Sequence, residues 1–228
     1  MSTDTKRLQS RSPISLAVIV GLMIALFGSS LLGLLDLSDR LTTTTAGQLL
    51  VNSAIMWFLV GALVVIVLYW ENRSVASIGL ETPNRREAAL GVAAGVAGLV
   101  VGILATGIAV AAFQLEQPET LSTLAELSLP VKLAVVGTAV VTEEVLWRGY
   151  PIERLTELTG SVWVGAATSG VVFLAVHYPA WGLVGAIPQA VFTVAIVGVY
   201  VKTRNVVACI LAHTVINVVM ILVIPAFI

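Results

Sequence analysis

Residues 91–112 read GVAAGVAGLVVGILATGIAVAA, and this stretch without a charged residue sets the class of fold. An apolar helix of roughly 18 residues or more is long enough to cross the hydrocarbon core of a bilayer. The whole chain agrees, since 58% of its 228 residues are hydrophobic and 11% are charged, against about 25% charged residues in soluble proteins. The sequence therefore predicts an all-α, polytopic bundle of membrane helices.

The same stretch is rich in small residues. Gly91 and Gly95 stand four residues apart, and so do Gly98 and Gly102. This spacing is typical of membrane helices whose backbones approach closely, because glycine leaves room for the neighbouring helix. We expect this helix to be part of the scaffold rather than of a catalytic site.

Apolar blocks recur along the chain and predict about seven transmembrane helices. They lie at about 13–35, 48–70, 91–113, 130–147, 161–178, 183–201 and 205–227. The first block is longer than the apolar core of a signal peptide, about 7 to 15 residues, and is interpreted as a retained helix. No gap is long enough for a second domain, so residues 1–228 are predicted to form one membrane domain with a cytoplasmic tail at 1–12.

The Lys and Arg residues predict the orientation of these helices. The N-terminal tail and the second gap hold three each, the fourth and sixth gaps hold two each, and the opposite side has only Arg40 and Lys132. Cytoplasmic loops are enriched in these residues. The N-terminus is therefore predicted inside, and an odd number of spans leaves the C-terminus outside.

Net charge and cysteine content exclude a nucleic-acid partner and a disulfide within the chain. A net charge of -1 without a basic patch excludes a nucleic-acid partner. Cys209 is the only cysteine, so no disulfide can form within the chain. The predicted environment is the lipid bilayer of the cell membrane.

The fourth block carries acidic residues where apolar ones are expected. Residues 132–150 read KLAVVGTAVVTEEVLWRGY, with Glu143, Glu144 and Arg148 near one end of the predicted helix. Ionisable groups cost several kcal/mol in hydrocarbon and therefore indicate a functional site. Glu144 and Arg148 are spaced for an ion pair on one helix face. Glu143 points about 100° away and needs its own polar partner, which makes it the better catalytic candidate.

Three more polar residues lie on later apolar blocks. His177 ends the fifth block, and His213 and Asn217 share one face of the seventh. With Glu143 they supply what the addition of water to an amide requires: a carboxylate base, an assisting imidazole and donors to an oxyanion. One glutamate and two histidines would also make a zinc site with an open position, although no HExxH motif is present.

Two possible nucleophiles are weaker candidates. Ser169 precedes His177 by two turns, but no nucleophile motif surrounds it. Cys209 precedes His213 by one turn, and a buried free cysteine usually serves as inert packing.

These residues, taken together, resemble the CAAX prenyl protease and bacteriocin-processing family, also called CPBP or Abi. The motif EExxxR matches Glu143, Glu144 and Arg148; FxxxH matches Phe173 and His177; HxxxN matches His213 and Asn217. The three motifs occur in the family's order over residues 130–220. Trp147 stands where the family often has phenylalanine, and it fills a similar space.

The resemblance implies an intramembrane endopeptidase. Glu143 and His177 would activate water, His213 and Asn217 would stabilise the oxyanion, and Glu144 and Arg148 would hold the site in shape. The implied substrate is a peptide or a prenylated protein whose bond lies near the cytoplasmic leaflet, such as a CAAX-type C-terminus or a leader peptide.

The need for a metal stays open at this point. Members of the family have been described both as metalloproteases and as metal-independent glutamate peptidases. Either no cofactor is required, or zinc is held by Glu143, His177 and His213. We favour glutamate-type chemistry and predict that chelation leaves activity unchanged.

Two other classes of function compete with the peptidase. One is a non-catalytic immunity or scaffold protein of the same fold, in which the polar residues serve helix packing. The other is a proton-coupled transporter, because intramembrane acids and histidines can relay protons. Transporters commonly have two related halves, whereas here the polar residues are confined to the second half of the chain.

The predicted helices place His177 at a different depth in the membrane from Glu143 and His213. At about 1.5 Å per residue, His177 lies roughly 24 Å along a helix that begins at Ser161, deeper than Glu143 or His213. We expect the fifth helix to begin lower, with Trp163 at the headgroups, so that the three groups converge.

Overall fold

The structure, a computed structural model, describes residues 15–116 and 119–224, and every regular element in these ranges is a helix. The predicted all-α membrane bundle is confirmed. The predicted cytoplasmic tail and the end of the seventh apolar block lie outside the described residues.

The helices follow one another with short connections. In chain order they are α1 (Leu16–Gly33), α2 (Leu37–Leu41), α3 (Thr45–Val65), α4 (Arg85–Phe113), α5 (Glu119–Glu126), α6 (Leu129–Glu143), α7 (Tyr150–Thr159), α8 (Val162–Thr203) and α9 (Val206–Asn217). Wider π-helical turns extend α3 over Ile66–Trp70, join α6 to α7 over Glu144–Gly149, and extend α9 over Val218–Val223. A 3₁₀ turn, Val75–Ile78, lies in the loop between α3 and α4.

Five helices in the described part of the chain are long and apolar enough to span a membrane, namely α1, α3 with its π turn, α4, α8, and α9 with its π turn. The count of seven spans is not confirmed and stays a prediction. Two features account for the difference between the seven predicted spans and these five helices. The predicted span at 130–147 contains Lys132 as well as Glu143 and Glu144, and α8 covers the fifth and sixth predicted spans in one helix of 42 residues.

A break divides α8 at Gly182. Its backbone has φ 59° and ψ −166°, a conformation that is essentially restricted to glycine. Pro179 lies just before the break and Pro188 follows it, and proline removes a helical hydrogen bond. A straight helix of this length would measure about 63 Å, roughly twice the hydrocarbon thickness of a bilayer. The break lies in the gap predicted between residues 178 and 183.

The connection between the predicted spans at 130–147 and 161–178 contains a helix, α7, which at ten residues is too short to span a membrane. Pro151 lies in the first turn of α7, directly after the π turn, and has no N–H to donate. Gly160 ends the helix with φ 78°, the usual left-handed glycine cap. Tyr150, Ile152 and Arg154 are buried, so α7 belongs to the bundle instead of forming a free loop.

The glycines of α4 allow close contact with two helices, as predicted. A Cβ atom on Gly91 or Gly95 would collide with the carbonyl oxygen of Ala208 or Ala212 on α9, and one on Gly102 would collide with the Phe192 ring on α8. Contact this close is possible only without side chains. Helix α4 thereby sets the positions of α8 and α9, which carry both histidines.

A polar cluster connects α7 to the loop between α3 and α4 at one end of the bundle. Arg154 is fully buried and donates from Nη2 and Nε to Glu71, at 2.6 and 3.0 Å, and to the hydroxyl and carbonyl oxygens of Ser77. The Tyr150 hydroxyl donates to the other oxygen of Glu71 at 2.6 Å. Burial raises the pKa of Tyr150 well above its ordinary value, and Glu71 acts in the same direction.

The same end of the bundle also receives the turn between α8 and α9. Arg204 pairs with Glu153, and the Tyr200 hydroxyl donates to Glu153 at 2.7 Å. The second, fourth and sixth gaps, which hold seven of the twelve Lys and Arg residues, therefore meet at one end. This grouping agrees with the predicted alternation, while the side of the membrane on which it lies stays a prediction.

Candidate active site

The two acidic residues of the fourth block lie where the helix changes its period. Glu143 is the last residue of α6, and Glu144 begins the π turn that continues to Gly149. Single π turns inside α-helices are rare and occur frequently at functional sites. The turn gives the adjacent glutamates separate surroundings.

Glu144 faces the helix that carries His213. It is fully buried, and its Oε1 accepts a hydrogen bond of 2.7 Å from Nδ1 of His213. The ion pair expected from the four-residue spacing is present, with Arg148 Nη1 at 3.3 Å from the same oxygen. Glu144 thus connects the π turn to α9.

Glu143 faces a different helix. Its Oε1 lies 3.7 Å from Nε2 of His177 on α8. The other ring nitrogen of His177, Nδ1, lies 2.7 Å from the Phe173 carbonyl oxygen. Because a carbonyl can only accept, Nδ1 carries a proton in this arrangement. In the neutral form of the ring, Nε2 is then the acceptor that faces Glu143.

The expected difference in depth between Glu143 and His177 is absent, and α7 explains why. Gly165 of α8 packs against the backbone of Ile152 on α7. From this contact the two helical segments run back into the bundle, about 14 Å to Glu143 and about 18 Å to His177 at 1.5 Å per residue. The contact between α7 and α8 therefore brings His177 to within 3.7 Å of Glu143, while the depth of Trp163 in the membrane stays a prediction.

Aromatic rings surround His177 and Arg148. The Phe173 ring lies 4.1 Å from the His177 ring and 4.1 Å from the Arg148 guanidinium carbon. Trp147 meets both Phe173 and His177 edge to face, with ring centres 5.4 and 5.8 Å apart. Trp147 thus packs beside the histidine.

These polar groups open onto a cavity of about 600 Å³. Six of the seven motif residues line it: Glu143, Arg148, Phe173, His177, His213 and Asn217. Glu144 is the exception and lies behind the wall. The rest of the lining is largely apolar and comes from α3, α4, α5, α6, α8, α9 and the π turn after α9, including Ile103, Leu121, Val135 and Phe192.

Ser169 and Cys209 do not face this cavity. Both are fully buried. The Ser169 hydroxyl donates to the carbonyl oxygen of Trp147, and the Cys209 thiol lies 3.6 Å from the carbonyl oxygen of Ile196. Neither side chain lines the cavity, which agrees with their weaker standing as nucleophiles.

The residues proposed as zinc ligands do not form one group. Within residues 15–116 and 119–224, no three His, Cys, Asp or Glu side chains lie close enough to hold a metal ion. His177 is paired with Glu143, whereas Nδ1 of His213 is bonded to Glu144. The donor set in this structure does not fit a three-ligand metal site.

Sequence reasoning missed two polar residues of the cavity wall. Gln189 and Thr193 stand four residues apart on the second half of α8 and both line the cavity. The signal was available, because an amide and a hydroxyl share one face of an otherwise apolar stretch. Their association with the motif residues required the packing of α8 against the π turn.

Comparison with known families supports the resemblance to the CAAX prenyl proteases. Residues 125–219 match the family described as type II CAAX prenyl endopeptidase Rce1-like. The match covers the π turn, α8 and the motif residues of α9, and it confirms the resemblance to the CAAX prenyl protease family. Comparison with curated proteins and with solved structures yields no match.

Proposed function

We propose that the protein is an intramembrane endopeptidase of the cell membrane that hydrolyses a peptide bond near the cytoplasmic leaflet. The observation that carries the proposal is the pair formed by Glu143 and His177, which face each other across 3.7 Å at the wall of the cavity. In the proposed reaction a water molecule at this wall donates one hydrogen to each of the two groups.

The water is the nucleophile in the proposed reaction. Glu143 takes one of its protons while the oxygen adds to the carbonyl carbon of the substrate, and His177 assists as the second acceptor. The tetrahedral intermediate collapses with cleavage of the C–N bond. The proton held by Glu143 passes to the departing nitrogen, so the products are a carboxylic acid and an amine.

His213 and Asn217 are the proposed donors to the oxyanion. Both line the cavity. Because Nδ1 of His213 is bonded to Glu144, donation at Nε2 requires that the Glu144–His213 pair hold an additional proton. In the proposed mechanism Glu144 supplies the charge that retains it, and Arg148 supports Glu144.

The apolar lining supports a lipid-modified or apolar peptide as substrate. A CAAX-type prenylated C-terminus or a leader peptide would leave water and place its apolar part against α4 and α5. Burial of apolar area contributes roughly 25 cal/mol per Å². The cavity volume of about 600 Å³ is within the range of sites for small ligands.

Cleavage in liposomes tests this proposal. Purified protein is incubated with a panel of prenylated C-terminal peptides and leader peptides, and products are identified by mass. Glu143→Ala and Glu143→Gln are expected to fold and to lose activity by a factor of about 100 or more, because the general base is removed. Glu81→Gln, a change at an exposed residue, is the matched control and keeps full activity.

Two results would contradict the proposal. Equal cleavage by wild type and the Glu143 variants would reject this assignment of the base. Loss of folding in Glu143→Gln without any cleavage by the wild-type protein would favour the scaffold function, in which the polar residues only stabilise helix packing.

A further inference from the structure

The backbone carbonyl oxygen of Trp147, in the π turn, lacks its regular helical donor. In an α-helix this oxygen would accept from the N–H of the residue four positions later. That residue is Pro151, which has no N–H. The preceding N–H, on Tyr150, donates to the carbonyl oxygen of Val145. The sequence therefore removes a backbone donor at the point where the π turn joins α7.

Ser169 of α8 supplies a donor to this oxygen. Its hydroxyl donates to the carbonyl oxygen of Trp147, and both residues are buried. A buried carbonyl without a partner costs a free energy comparable to a lost hydrogen bond. Because the replacement donor belongs to a different helix, the bond also fixes the π turn against α8.

The serine lies on the face of α8 that carries the catalytic histidine. Ser169, Phe173 and His177 follow one another at intervals of four residues and share this face. At one level Ser169 contacts the backbone of Trp147, whose ring meets Phe173 and His177 edge to face. Two helical turns further along α8, His177 faces Glu143 at 3.7 Å. The serine bond therefore belongs to the same contact surface as the pair formed by Glu143 and His177.

We propose that Ser169 is a positioning residue of the active site. Its hydroxyl takes the place of the N–H that Pro151 cannot provide, and it thereby fixes the π turn at the position in which Glu143 faces His177. Ser169 does not line the cavity and does not touch the substrate. The inference rests on the proposed peptidase function and adds how the separation of the two groups is maintained.

Loss of this bond should affect the reaction more than substrate binding. A displacement of about 1 Å at a reacting group can lower a rate by about 100-fold. The apolar wall of the cavity comes largely from helices that the serine does not contact. Ser169→Ala is therefore expected to lower kcat by roughly 10- to 100-fold and to change KM by less than about threefold. Cleavage of one peptide in liposomes measures both constants.

Substitution of Pro151 tests the exchange of donors. Pro151→Ala restores an N–H that can donate to the Trp147 carbonyl oxygen, as in a regular α-helix. When residue 151 is alanine, Ser169→Ala should lower kcat by less than about threefold. The wild type, the two single variants and the double variant form a double-mutant cycle, which measures the coupling between the two positions.

Two further variants separate this bond from other effects. The Thr156 hydroxyl donates to the carbonyl oxygen of Ile152 within α7. Thr156→Val removes a bond of the same kind that does not join α7 to α8, and it should keep the wild-type kcat. Ser169→Cys keeps a weak donor, so its kcat should fall between those of the wild type and Ser169→Ala.

Thermal unfolding in detergent follows the same exchange without activity. Ser169→Ala should lower Tm more when residue 151 is proline than when it is alanine. Only the proline background leaves the Trp147 carbonyl oxygen without a replacement donor, and an unpaired buried acceptor is destabilising.

Two results would overturn the proposal. One is an equal loss of kcat for Ser169→Ala with proline and with alanine at position 151. The other is a loss confined to Tm, with kcat unchanged, because Ser169 would then only stabilise the fold. Absence of cleavage by the wild type is a different result and contradicts the peptidase function itself. Equal losses of Tm in both backgrounds would in that case reject the exchange of donors as well.

Discussion

Two carboxylate–histidine pairs, and not one cluster, organise the polar residues of the site. Glu143 faces His177 at 3.7 Å, and Glu144 accepts from His213 at 2.7 Å. Consecutive residues on a helix point about 100° apart, so adjacent glutamates reach two different helices. Each histidine therefore has its own acidic partner, which separates the residues that a zinc ion would have to share.

Chelation tests whether cleavage depends on a metal ion. Cleavage in liposomes is expected to be unchanged by EDTA or 1,10-phenanthroline, because Glu143, His177 and His213 do not form a three-ligand group in this structure. The same preparations should show no stimulation on addition of zinc. Loss of cleavage on chelation, followed by recovery on adding zinc, would establish a metal-dependent enzyme instead.

Among the elements, α8 determines the shape of the cavity through its break. The half before Gly182 carries Phe173 and His177, and the half after it carries Gln189, Phe192 and Thr193. Both halves line the same space. A continuous straight helix would carry the second set of residues away from the π turn. The change in direction at Gly182 therefore allows both halves of α8 to line the cavity.

Gly182→Ala is expected to destabilise the protein by about 1–3 kcal/mol, because alanine strongly disfavours the backbone angles at this position. No atom lies within 4 Å of a Cβ placed there, so the cost comes from the backbone and not from a collision. Unfolding by denaturant in detergent measures the loss, and activity should fall with it.

Gly198→Ala on the same helix is the matched control. A Cβ there also meets no atom within 4 Å, and its φ is not positive. Alanine in a helix is favoured over glycine by up to about 1 kcal/mol, so this variant should be as stable as the wild type or more so. Equal effects of the two substitutions would exclude backbone strain at Gly182.

On the scale of the whole molecule, the first half of the chain completes a site whose motifs lie in the second half. Helix α4 supplies Ile103, Thr106 and Val110 to the cavity wall. At the far end, Glu71 from the first half bonds Arg154 and Tyr150 from the second. Residues 125–219 match the protease family, yet the cavity needs both parts of the chain.

Cysteine labelling tests the orientation of the whole bundle. Thr82 and Gln114 flank α4, both are exposed, and the native Cys209 is fully buried. With the N-terminus inside, a membrane-impermeant thiol reagent should label Thr82→Cys only in inside-out vesicles and Gln114→Cys only in right-side-out vesicles. The reverse pattern would contradict the orientation predicted from Lys and Arg, and labelling of both on one side would exclude α4 as a span.

The sequence by itself determined features that depend on composition or on one helical turn. Uncharged stretches such as 91–112 predict membrane helices because hydrocarbon excludes charge. The glycine spacing of α4 and the spacing of Glu144 and Arg148 predicted their contacts, because the helical period places residues four apart on one face. The motif residues and the family resemblance were also readable without a structure.

Only the tertiary structure decided which histidine each glutamate meets, that Ser169 and Cys209 turn away from the cavity, and that α7 is a helix. It also brought the Ser169 hydroxyl to the carbonyl oxygen of Trp147. Such contacts join residues tens of positions apart, and they depend on how helices cross and at what depth each begins. Hydropathy does not contain this information, because an apolar residue that faces lipid and one that faces a cavity contribute equally to it.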